Sequence, residues 1–129
     1  MEFFEDGEEV ITRWRPDERF QGYGSVLHGG IQATVMDELA SWTVFVKLET
    51  AGVTSSLSVD YRRPVYTDRG ALTIRASVDE VEKNMATIAL RLYDSDGNLC
   101  SEGRVVYFTF PPKLAQKRLA YPGRKAFDE

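Results

Sequence analysis

One long apolar segment, running from Ile31 to Val46, most constrains what this chain can fold into. Apolar residues recur in it at helical spacing, and others fill most of the remaining circumference: Ile31, Val35, Leu39, Trp42 and Val46, then Ala33, Met36, Ala40 and Val44. The loop-like run His28-Gly29-Gly30 precedes it, so a helix is predicted to begin there. We expect this helix to be buried nearly all round.

The segments on either side of the helix alternate apolar and polar residues with the period of two that is typical of strands. Met1 to Phe4 and Glu8 to Arg15 are predicted as two short strands before it, joined by a turn at Glu5-Asp6-Gly7. Four further strands are predicted after it, as a meander centred on Leu57 to Tyr61, Leu72 to Val78, Ala86 to Leu92 and Leu99 to Phe110. This order predicts an α+β domain in which an antiparallel sheet curves around the helix.

Length and charge limit the classes of function. The 129 residues suffice for one domain, predicted over residues 1–110, followed by a basic tail over residues 111–129. A net charge of -4 gives no general electrostatic reason to expect a nucleic-acid or anionic-membrane partner. The single cysteine, Cys100, excludes an intrachain disulfide, and the single histidine, His28, leaves no Cys/His zinc cluster. With an acidic start and no apolar run of spanning length, we expect a cytoplasmic protein without a metal.

Two adjacent acids, Asp37 and Glu38, interrupt the apolar helix and need an explanation, because a buried carboxylate is costly without a partner. Consecutive helical residues point about 100° apart, so at most one of the two faces a given cleft. The neighbours of Asp37 at helical spacing are small, which leaves room for a ligand there. The alternative is a structural acid paired with an arginine of the sheet.

His28-Gly29-Gly30 is the second candidate, because unpaired N–H groups and the positive end of the helix dipole can hold a developing oxyanion. Glycine also lets a substrate carbonyl approach closely. The alternative is that the glycines only allow a tight turn from loop to helix.

Four pieces of sequence carry a resemblance to a known family: Phe20-Gln21-Gly22-Tyr23, Leu27-His28-Gly29-Gly30, Asp37 nine positions after His28, and Tyr61-Arg62-Arg63-Pro64. Together they resemble the PaaI-type branch of the hotdog-fold thioesterase superfamily. The resemblance extends from the first strand to Phe110 and matches the order of elements predicted above.

The resemblance implies a hotdog fold, at least a dimer with the active site at its interface, and hydrolysis of acyl-coenzyme A without metal or organic cofactor. By position, Asp37 would be the general base or nucleophile and the Gly29 N–H would polarise the thioester carbonyl. His28 would shape the loop, and Thr54 stands where related enzymes keep a hydroxyl that orients the water.

Further residues are candidates for holding the substrate. Gly30 and Gln21 lie in the matched loops, although related enzymes frequently have an asparagine in the loop that contains Gln21. Arg62 and Arg63 could meet the coenzyme A phosphates or simply be solvated. The chain starts directly in the first predicted strand, whereas many members carry an additional amino-terminal segment. A pocket lid is therefore expected to be absent here.

Three other functions compete with hydrolysis. The chain could bind or sense an acyl-thioester without turning it over, it could be a hydratase or dehydratase, or it could be a structural interaction module. Asp37 and Thr54 argue against the first, and the position of His28 argues against the second. Three questions stay open: which acyl group the substrate carries, whether the chain forms a dimer or a tetramer, and whether water attacks the thioester or Asp37 forms an anhydride intermediate.

Overall fold

A computed structural model describes residues 2–17, 19 and 24–110. These residues form one helix, α1, and a six-stranded antiparallel sheet. The elements are β1 (Glu2–Asp6), β2 (Glu9–Trp14), α1 (Gly29–Leu48), β3 (Gly52–Tyr61), β4 (Leu72–Glu82), β5 (Met85–Tyr93) and β6 (Leu99–Thr109). The predicted α+β architecture, a curved sheet around a long helix, is confirmed. The predicted tail over residues 111–129 lies outside the described residues.

The strand order in the sheet is β1-β2-β4-β5-β6-β3. The predicted meander is therefore correct for β4 to β6 and wrong for β3, which pairs with β6 rather than β4. The reason lies in the link over residues 62–71, which does not make a tight turn. Instead, the Leu27 N–H donates to Val65 O over 2.7 Å and the Thr67 N–H donates to Ser25 O over 2.8 Å. The link is thus tied to the chain just before α1, and the strands on its two sides are kept apart.

Helix α1 buries one side against the sheet and leaves the opposite side open. Its buried residues are Gln32, Val35, Met36, Leu39, Ala40, Thr43 and Val44. Thr34, Glu38 and Ser41 form an exposed stripe at spacings of four and three residues. The expectation of a helix buried nearly all round is wrong for the single chain, because the sheet covers only one face. None of the described helices is long and apolar enough to cross a membrane.

Strand β3 lies at an edge of the sheet and is exposed along most of its length. Two of its large side chains, Val53 and Tyr61, are 49% and 51% exposed, and Leu57 between them is 40% exposed. One side of β3 pairs with β6, and no other described strand pairs with the second side. Among the described residues, this edge therefore offers backbone N–H and C=O groups that no strand pairs with, beside apolar side chains.

Candidate functional site

Asp37 lies half-buried on α1, where it meets side chains from two strands. The Thr54 hydroxyl, from β3, donates to Asp37 Oδ1 over 2.9 Å. The Tyr107 hydroxyl, from β6, lies 2.8 Å from Oδ1 and 2.8 Å from the main-chain oxygen of the same residue. Glu38 is exposed on the other side of the helix. The structure thus brings together Asp37 and Thr54, and leaves Glu38 outside the site.

A β-bulge at Ser55 directs Thr54 towards the helix. Thr54 is opposite Tyr107 and Ser56 is opposite Val106, so Ser55 is an extra residue in β3. Beyond the bulge, the inward residues of β3 are Leu57, Val59 and Tyr61, which lie opposite Val105, Gly103 and Ser101 on the inner face of β6. A regular strand would put Thr54 on the opposite face from these three, because side chains alternate with a period of two. The extra residue reverses that parity.

Tyr107 is a site residue that the sequence analysis missed. Its side chain is buried, and burial raises the pKa of its hydroxyl above the usual range, with the neighbouring Asp37 carboxylate adding to the rise against an opposing hydrogen bond from Thr54. The hydroxyl therefore stays protonated and keeps a proton to donate. A signal was available, since Tyr107 shares the inward parity of β6 with Val105, and a buried tyrosine hydroxyl needs a partner.

The alternative in which Asp37 pairs with an arginine does not describe this carboxylate. Within residues 2–17, 19 and 24–110, the ion pairs of arginine are with other acids. The partners of Asp37 are uncharged hydroxyls instead. A carboxylate held in this way is competent as a base or a nucleophile.

The start of α1 forms the second half of the site. His28 is the N-cap, and its Nδ1 accepts from the Gly30 N–H over 3.0 Å. The N–H groups of Ile31 and Gln32 donate to the main-chain oxygen of His28. Gly29, as the first helical residue, has no acceptor within the helix for its own N–H. Of the two glycines, Gly29 is therefore the one whose N–H can meet a ligand, at the positive end of the helix dipole.

Tyr61, at the far end of β3, holds Gly29 in place. Its hydroxyl donates to Gly29 O over 2.6 Å. A Cβ atom added at Gly29 would lie 3.1 Å from the Tyr61 ring, closer than such atoms normally pack. A side chain at this position would require the Tyr61 ring to move by a few tenths of an ångström, which gives glycine a structural role beside its expected role with a substrate.

Asp37 and Gly29 are separate within one chain. They lie eight residues apart on one helix, which corresponds to about 12 Å along its axis. Strand β3 connects the two halves, because Thr54 near its start touches Asp37 and Tyr61 at its end touches Gly29. The strand thus runs antiparallel to the helix and carries one contact for each half.

The two candidate arginines lie beside Gly29. A cleft of about 360 Å³ is lined by residues that include Gly29, Tyr61, Arg62, Arg63 and Pro64. Arg62 also pairs with Glu102 over 3.3 Å and is 56% exposed. Gln21 lies outside the described residues. No group of three or more potential metal-ligating side chains occurs in the part of the chain that the structure describes.

Comparison with known proteins agrees with this fold. A family model described as "Thioesterase superfamily" matches residues 24–101, more than half of the chain. A protein named "Putative esterase" from Saccharolobus solfataricus is 26% identical over 105 residues, covering 81% of this chain and 69% of the relative.

Two solved structures share the fold. A thioesterase from Haemophilus influenzae has a TM-score of 0.76 at 19% identity, covering 84% of this chain and 76% of that one. A hypothetical thioesterase from Streptococcus pneumoniae, solved with coenzyme A, has a TM-score of 0.76 at 19% identity, covering 84% and 86% of the two chains. At these identities the likeness is one of fold.

Proposed function

The chain belongs to the thioesterase superfamily, and we propose that it is an acyl-coenzyme A thioesterase, which hydrolyses the thioester to a free acid and the coenzyme A thiol. The observation that carries the proposal is the hydrogen bond from Thr54 to Asp37 at the edge of the sheet. It gives an oriented carboxylate, half-buried, at a surface that a substrate can reach.

Thioester hydrolysis needs a base or nucleophile and a donor for the oxyanion, while the thiolate leaves without strong acid assistance. In our proposal Asp37 takes a proton from the attacking water, and the Gly29 N–H donates to the carbonyl oxygen as negative charge develops there. Direct attack by Asp37, through an anhydride, uses the same two residues. His28 supports Gly29 by capping the helix and using the Gly30 N–H.

We infer that the active site is shared between two copies of the chain, because one carbonyl cannot reach Gly29 and Asp37 of the same helix. The edge of β3 that is left open by the described strands supplies the geometry. If two β3 edges pair antiparallel about a two-fold axis, the Thr54 end of one strand lies beside the Tyr61 end of the other. Asp37 and Thr54 of one protomer then face Gly29 of the partner subunit, twice per dimer.

Coenzyme A is the proposed thiol half of the substrate. The Streptococcus pneumoniae structure with the same fold was solved with coenzyme A. In this chain the cleft beside Gly29 contains Arg62 and Arg63, whose guanidinium groups can pair with phosphate oxygens. We place the phosphates on that side and the acyl group on the Asp37 side of the scissile bond.

The experiment that tests the function is a panel of acyl-coenzyme A substrates, with short, long and aryl acyl groups, in which release of free thiol is followed. Asp37→Ala protein serves as the matched blank. Hydrolysis of at least one substrate by the wild type and not by the blank supports the proposal. Tight binding of the panel with no thiol release would instead indicate an acyl-thioester binding protein.

A further inference from the structure

The arrangement of hydroxyls around Asp37 distinguishes its two carboxylate oxygens. We propose that Tyr107 is a positioning residue that, together with Thr54, holds Asp37 Oδ1 and leaves Oδ2 as the oxygen that reacts. The inference rests on the proposed hydrolase function, because it specifies how that site is built.

Both hydroxyls reach the same oxygen. The Thr54 hydroxyl donates to Oδ1 over 2.9 Å. The Tyr107 hydroxyl lies 2.8 Å from Oδ1 and 2.8 Å from the main-chain oxygen of Asp37, so its single proton is shared between these two acceptors. Within the described residues, no hydrogen bond reaches Oδ2. One oxygen is thus anchored and the other is available.

The anchor is built into the sheet. Thr54 and Tyr107 are direct partners in the β3–β6 ladder, so the backbone fixes the separation of the two donors. Tyr107 is 3% exposed and its hydroxyl stays protonated, for the reason given above. Two donors from adjacent strands prevent rotation of the carboxylate, which would exchange Oδ1 and Oδ2. This is the preorganisation that a catalytic base needs.

The protons on these hydroxyls determine what Thr54 can do. In this arrangement the Thr54 hydroxyl donates its proton to Asp37, and towards a water molecule its oxygen acts as an acceptor. In the reaction the water oxygen bonds to the carbonyl carbon and one water proton passes to Oδ2. The other proton points to Thr54 Oγ1. The carbon–sulfur bond then breaks, and the proton held on Oδ2 is available to the departing thiolate.

Tyr107→Phe tests the proposal because it removes one donor and keeps the ring. We expect kcat to fall about 10-fold to 100-fold, the range for losing a hydrogen bond to a charged group, with KM changed less than about twofold. Tyr93→Phe, on the neighbouring strand β5, is the matched control and should keep the wild-type rate.

A double-mutant cycle separates positioning from a purely structural role. If Tyr107 acts through Asp37, adding Tyr107→Phe to Asp37→Asn causes no further loss. If the double variant instead lost kcat by the product of the two single losses, the inference would be overturned. A wild-type rate for Tyr107→Phe while Asp37→Asn is inactive would also overturn it. In contrast, an active Asp37→Asn variant would show that Asp37 is not the catalytic residue. The proposed site would then fail, and this inference would fail with it.

A second measurement does not depend on the variant folding. The wild-type protein is crystallised with a non-hydrolysable thioester analogue, and the contacts of the Asp37 oxygens are read directly. We expect one carboxylate oxygen to bond to Tyr107 and Thr54 and the other to face the carbonyl. If the oxygen that bonds to Tyr107 were also the one that faces the carbonyl, the proposal would be overturned.

Discussion

The hydrogen bond from Thr54 Oγ1 to Asp37 Oδ1 joins two residues that are 17 positions apart and lie on different elements. It connects α1 with β3, the strand that follows the helix in the chain. It therefore fixes the edge strand to the helix at the position of the carboxylate. The same bond orients the carboxylate and uses the threonine proton. Its effects on rate and on structure can be separated by substitution.

Asp37→Asn is expected to lower kcat at least about a hundredfold, the usual scale for loss of a catalytic base, because an amide neither accepts the proton nor attacks the carbonyl. Glu38→Gln is the control on the adjacent, exposed position and should change kcat much less. Steady-state kinetics with circular dichroism of both variants checks this. If the Glu38 variant were inactive and the Asp37 variant active, our assignment of the catalytic face of the helix would be wrong.

Thr54→Val keeps the shape of the side chain and removes the donor, so we expect kcat to fall about 10-fold to 100-fold and by less than in Asp37→Asn. Thr54→Ser keeps a hydroxyl and should retain most of the activity. Rates for the two variants are compared at saturating and at limiting substrate. Thr54→Val at the wild-type rate under both conditions would remove Thr54 from the site.

A shared site predicts complementation between two inactive variants. Asp37→Ala lacks the carboxylate, and Gly29→Val should block the N–H donor and displace the Tyr61 ring, which a Cβ at Gly29 would approach to 3.1 Å. After subunit exchange, each heterodimer contains one site with both lesions and one with neither. Activity should return to about half the wild-type rate per heterodimer. No recovery, with exchange shown by mass spectrometry, would contradict the shared site.

The raised pKa of Tyr107 predicts a loss of stability in alkali. The folded state favours the protonated hydroxyl, so its contribution is complete below the unfolded-state pKa of about 10 and is lost as pH rises through the folded-state pKa. Above about pH 10, one such group lowers the free energy of unfolding by up to about 1.4 kcal/mol per pH unit. Tyr107→Phe should be less stable at pH 7 by about 1 kcal/mol.

Urea unfolding at neutral and alkaline pH measures that difference. The gap between wild type and Tyr107→Phe should narrow as pH rises above about 10. Tyr93→Phe shows the general effect of losing a tyrosine hydroxyl. A gap between wild type and Tyr107→Phe that stays constant across this range would show that the Tyr107 proton is not retained by the fold.

Sequence patterns predicted the helix, its start at the run His28-Gly29-Gly30 and the strands, because each depends on local periodicity or on a turn. They failed for β3, whose partner depends on contacts of the link with Ser25 and Leu27. The exposed stripe of α1 was also missed, since apolar residues around a helix do not say whether this chain or another covers them.

For the site, the small helical neighbours of Asp37 already selected it over Glu38, and the family resemblance added Thr54, whereas periodicity alone points Thr54 away from the helix. Counting by twos from Leu57 places Thr54 on the outer face, and only the register shift at Ser55 reverses this. A bulge leaves no clear mark in a run such as Thr54-Ser55-Ser56, so parity could not identify it. Tyr107 was missed for a related reason, because its partner Asp37 is fixed by how the helix crosses the sheet.

The edge of β3 with which no other described strand pairs has a consequence for how this protein would behave at different abundances. If catalysis requires two chains, the concentration of complete sites follows the dimerisation equilibrium, and far below the dissociation constant it rises with the square of total protein. Specific activity would then fall on dilution, with the isolated chain retaining its fold and both half-sites. Expression level would thereby set turnover per molecule as well as the number of molecules.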